Sequence, residues 1–106
     1  MGRGSEGVTW YYEGRRKAVV LVLDTFPERR EVLLLDINAG IYFTVACKSD
    51  EVLAEVRNGA LLEVEIDQYY SFDIPEAREL RKMSGGLLDR VYRLELVWAK
   101  PLEEEE

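Results

Sequence analysis

Ala18-Val19-Val20-Leu21-Val22-Leu23 is the stretch on which the fold turns. It lies at the centre of a strand expected over residues 17–25. A half-exposed strand alternates apolar and polar positions. Six apolar side chains in a row mean that both faces are covered, as in a central or barrel strand. The run is far shorter than the ~20 residues that span a bilayer.

Working outward, residues 8–13 are β-branched and aromatic and predict a preceding strand, with Gly14-Arg15-Arg16 as its turn. Phe26-Pro27-Glu28-Arg29-Arg30 is the next turn, where Pro27 fixes the backbone. Strands follow at 31–37 and 41–47, joined by Asn38-Ala39-Gly40. Such short connections imply an antiparallel meander. The period then changes. Ser49 or Asp50 caps a helix to about Arg57, with Val52, Leu53 and Val56 on one face and Asn58-Gly59 as its stop. Residues 61–67 alternate: Leu62, Val64 and Ile66 face inward, and Glu63, Glu65 and Asp67 face water. Pro75 opens a second helix that Gly85-Gly86 closes. Residues 87–99 form a last long strand, with Tyr92, Leu94, Leu96 and Trp98 on one face and Arg93 near Glu63 or Glu65.

The order β-β-β-β-α-β-α-β predicts an α+β, β-rich fold. A small antiparallel, partly closed barrel of OB-like or SH3-like layout satisfies the strand count. The alternative is an open antiparallel sheet with two helices on one face. Residues 1–7 read as a flexible leader, 8–102 as a single globular domain and 103–106 as an acidic tail. Without the four tail glutamates, the 14 positive and 17 negative side chains leave a net charge of −3, against −7 for the whole chain. No signal peptide or membrane segment is evident, so a cytoplasmic protein is expected. Ten arginines to four lysines, with two asparagines and one glutamine, give a thermophile-like composition.

The missing residues narrow the chemistry. With no histidine, neither Ser-His-Asp nor Cys-His catalysis is available, nor is the commonest metal ligand. A single cysteine, Cys47, allows no internal disulfide and no Cys-rich zinc site, and it reads as a small buried hydrophobe. Neither a GxxxxGK[ST] stretch nor a GxGxxG stretch opening a helix is present. No cofactor and no metal are expected. A carboxylate-only hydrolase would need two acids together. Asp24 and Asp36 are the candidates, but a hairpin sets Asp36 near Val20, roughly 13 Å along the strand from Asp24. That is wider than the ~9.5 Å of an inverting pair. Glu63, Glu65 and Asp67 form a possible cation ladder, with a solvated face as the plainer reading.

Two binding readings remain. The favoured one is a non-enzymatic interaction module, an accessory component of a protein or ribonucleoprotein assembly. Its partner would be a protein, or a second copy joined through an uncapped edge strand at residues 91–99. The alternative is direct binding of RNA or single-stranded nucleic acid through an aromatic and basic hairpin. Trp10, Tyr11 and Tyr12 would stack bases, while Arg15, Arg16 and Lys17 neutralise phosphates. Tyr69, Tyr70 and Phe72 would extend the platform. The acidity of the chain opposes this alternative.

Overall fold

The computed structural model describes residues 9–102; the expected leader and acidic tail lie outside them. The elements are β1 (Tyr11–Phe26), a 3₁₀ turn (Pro27–Arg29), β2 (Glu31–Asp36), β3 (Ile41–Cys47), α1 (Asp50–Glu55), β4 (Leu61–Ser71), α2 (Pro75–Met83) and β5 (Val91–Pro101). The strands close into a barrel in the order β1-β2-β3-β5-β4. Closure excludes the open sheet. A five-stranded barrel with a helix between its third and fourth strands is an OB-like layout. The barrel is mixed, because β3 and β5 run parallel, pairing Ala46 with Glu95 and Cys47 with Leu96. No helix among the described residues is long and apolar enough to cross a membrane.

The chain packs as two compact units, one of Arg15–Asp67 with residues 94–102, the other of residues 9–14 with Gln68–Arg93. The first holds the barrel core. Val20 and Val22 of β1, Val32 and Leu34 of β2, Val45 and Cys47 of β3, and Leu62, Val64 and Ile66 of β4 point inward with Leu96 of β5. Val56, just past α1, joins them, with Val52 and Leu53 packed alongside as the helical spacing predicts. Ser49 caps α1, its Oγ accepting from the Val52 amide at 3.3 Å. In the second unit, α2 opens on Pro75 and ends in a Schellman turn. There Gly86 N–H donates to Arg81 O at 2.8 Å and Gly85 N–H to Lys82 O at 3.3 Å. The left-handed φ values of 66° and 92° at these glycines explain the double glycine.

Four expectations are corrected. The hairpin at Gly14-Arg15-Arg16 does not exist, and the two first strands are one, β1. The Arg15 guanidinium is bound to Asp67 on β4, with Nε–Oδ1 at 2.6 Å and Nη2–Oδ2 at 3.1 Å, which holds the backbone in the sheet where a turn was expected. Asp67 is not on the wet face. The alternation slips after Ile66, so that both residues are buried. The last strand begins at Val91, and residues 84–87 turn under the Ser84 hydroxyl, which accepts from Leu88 N–H at 2.8 Å. Its alternation also slips: Leu96 and Ala99 are buried, while Trp98 is 42% exposed. Finally, β5 is no edge, because barrel closure places it between β3 and β4. The edge-strand route to self-association therefore has no free strand there.

Removing Arg15 strands a buried carboxylate. Arg15→Ala is expected to cost about 1–3 kcal/mol. Arg16→Ala, at an exposed position one residue on, should stay within about 0.5 kcal/mol. Urea unfolding of the two variants separates them, and equal costs would show that the ion pair does not hold the strand.

Candidate functional site

The residues expected to bind nucleic acid fall into two groups. Trp10, Tyr11, Tyr12, Tyr69 and Tyr70 belong to the unit formed by residues 9–14 and Gln68–Arg93. The tyrosine rings meet across β1 and β4. Tyr11 stacks on Tyr70 at 5.4 Å and lies 3° from parallel with Phe72 at 5.5 Å, while Tyr12 meets Tyr69 edge-on at 5.6 Å. These are offset and edge-to-face pairs, each contributing about 0.5–1.5 kcal/mol beyond the area it buries. Much of the aromatic surface is thus engaged within the protein. Two arginines that the sequence reading did not include complete the cluster. The Arg90 guanidinium sits 4.5 Å from the Tyr70 centroid and that of Arg93 5.8 Å from Trp10.

Arg15, Arg16 and Lys17 belong to the barrel unit. Arg15 is committed to Asp67 and also lies 3.5 Å from Glu65. A guanidinium held by two carboxylates is a poor phosphate ligand. The same contacts dispose of the cation ladder. Glu65 and Asp67 receive Arg15, and Glu63 faces Lys100 at 3.8 Å. No metal-competent cluster occurs among the described residues.

Asp36 acts as a turn residue, while Asp24 lies within β1 beside its register shift. Asp36 pairs with Val20 in register, as the hairpin reading anticipated. Its Oδ1 accepts from Asn38 N–H at 3.1 Å and Ala39 N–H at 3.0 Å, and Asp24 Oδ1 accepts from Thr25 N–H at 2.9 Å. Neither is placed to share a substrate.

The feature not recognised in the sequence is the outer face of β1-β2-β3. The register sets Leu21 opposite Leu35 and Leu35 opposite Tyr42; Leu33 stands opposite Thr44. These residues alternate with buried Val20, Val22, Val32, Leu34 and Val45, and so project away from the core. Tyr42 is 70% exposed, and Leu23, Ile37 and Ile41 are exposed as well. The uninterrupted apolar run at 18–23 carried this signal. Both faces of that run were expected to be covered, but the core covers only one: Val20 and Val22 are buried, Leu21 is half-buried and Leu23 is exposed.

Cys47 is buried among the core residues. Burial pushes its thiol up to about 11, against a smaller lowering by the Arg30 guanidinium. Folding favours the protonated form, so the associated stability is present below 9.0 and lost as pH rises toward about 11. In urea unfolding, wild-type stability should therefore fall faster than that of Cys47→Ala across this window. The opposite slope would place the thiolate in a favourable site. Comparison with family models, curated proteins and solved structures yields no match for this chain.

Proposed function

We propose that this protein is a non-enzymatic interaction module, an accessory component of a protein or ribonucleoprotein assembly, that docks a protein partner on the outer face of β1-β2-β3. The observation that carries the reading is the row Leu21–Leu35–Tyr42, three side chains in register on the face opposite the core. A single exposed leucine means little, whereas a contiguous apolar surface marks a contact site. Tyr42 supplies the exposed aromatic that interfaces favour as an anchor. The net charge of −7 favours a basic partner, which long-range attraction would steer to the face. With Asp24 and Asp36 each accepting from neighbouring backbone amides, the proposal assigns no turnover to the molecule.

Site-specific photo-crosslinking tests it. A crosslinking residue in place of Tyr42 should give a discrete protein adduct in native extract, resistant to nuclease and abolished by Leu35→Glu. The same residue in place of Glu55, exposed on α1, should not. Equal adducts at both positions, or loss of the adduct with nuclease, would sink the reading.

A second reading rests on the aromatic cluster. Arg90 and Arg93 lie on Tyr70 and Trp10, while Tyr11, Tyr12 and Phe72 are 41%, 57% and 41% exposed, so bases and phosphates could meet rings and cations in one unit. On this reading a fluorescein-labelled oligouridylate binds with strong salt dependence. Arg90→Glu with Arg93→Glu should then weaken binding about tenfold or more. Fluorescence anisotropy reads the outcome, and an unchanged affinity removes RNA from consideration.

A further inference from the structure

We propose a second binding site, a saccharide-binding groove on the outside of the barrel unit, centred on Trp98. The groove has a volume of about 390 Å³ and is walled by Lys17 and Val19 of β1, Glu63 and Glu65 of β4, Trp98 and Lys100 of β5, and Asn38 of the β2–β3 turn. That volume lies at the small end of ligand sites, suited to one or two sugar rings. Its walls are strand residues, and the Asn38 turn is pinned by Asp36, so the groove is formed before any ligand arrives.

The chemistry of the lining selects the ligand. Trp98 is 42% exposed and lines the groove, offering apolar indole surface in a polar surround. A pyranose ring has a matching C–H face, and its rim of hydroxyls each donate and accept. The surround offers both roles: ammonium donors at Lys17 and Lys100, carboxylate acceptors at Glu63 and Glu65, and the two-sided carboxamide of Asn38. The charges exclude the other obvious occupants. Of the charges lining the groove, Lys100 faces Glu63 and Glu65 faces Arg15, and the two carboxylates would repel a phosphate. The cation position is already filled, since Lys100 Nζ sits 5.7 Å from the Trp98 centroid and 3.8 Å from Glu63. What remains is a neutral, hydroxyl-rich ring. This inference is independent of the protein-docking face.

The chain has two tryptophans, so in a Trp10→Phe protein the indole emission reports Trp98 alone. Maltose, cellobiose, lactose and chitobiose are titrated separately, followed by emission and by backbone amide NMR shifts. At least one should give a saturable change, with shifts confined to Lys17, Asn38, Glu63, Glu65 and their strand neighbours. Lys17→Ala and Asn38→Ala, both on the surface, should each weaken binding by about tenfold. Trp98→Ala should abolish it while leaving the fold's amide pattern intact elsewhere. Leu35→Glu should leave it unchanged, so this site and the docking face fail separately. No saturable response to any of the four sugars, shifts that map elsewhere, or an equal response to uridine would overturn the assignment.

Discussion

Closure of five strands around one cluster of buried side chains is the constraint from which the rest of the molecule follows. A barrel has one interior, and each strand supplies it with alternate residues. Val20, Val22, Val32, Leu34, Val45, Leu62, Val64 and Ile66 meet that demand with branched side chains that pack at fixed rotamers. Whatever stands between them is forced outward. The exterior of this barrel is therefore a direct record of the intervening residues. On β1-β2-β3 those residues include Leu21, Leu33, Leu35 and Tyr42, with Glu31 and Thr44 among them, and on β4 they are Glu63 and Glu65. The two outer regions have opposite chemistry because the same alternation was filled differently.

Much of the fold was legible in the sequence where one local signal acted alone. The 31–37 and 41–47 strands, the Ser49 cap, Pro75 at the start of α2 and the Gly85-Gly86 stop depend on neighbours within a few residues. So did the pairing of Asp36 with Val20, which a short turn fixes. Legibility failed where a distant residue decided. Gly14-Arg15-Arg16 carries turn chemistry, yet Asp67, fifty-two residues away, holds Arg15 and keeps the strand going. Asp67 looked solvated because the residues before it alternate, and the slip at Ile66–Asp67 leaves no trace in composition. Trp98 was placed on one face with Leu96 by the same alternation, yet Leu96 is buried and Trp98 is 42% exposed.

The candidate sites divide along the same line. The tyrosines singled out in the sequence come together, and within that unit Arg90 lies on Tyr70 and Arg93 on Trp10. The Leu21–Leu35–Tyr42 row needed cross-strand register to become visible, since its members are far apart in the chain. The groove at Trp98 draws on three strands and a turn and could not be assembled from any one segment.

An apolar outer face on an anionic molecule has a consequence for behaviour in solution. Copies of the chain, each with charge −7, repel one another before their leucine rows can touch. Repulsion of this kind fades once the Debye length shrinks to ~3 Å near molar ionic strength. Hydrophobic attraction survives that screening, whereas capture of a basic partner weakens under it. Electrolyte would thus act on the same surface in two directions, loosening heterotypic contacts as it licenses homotypic ones.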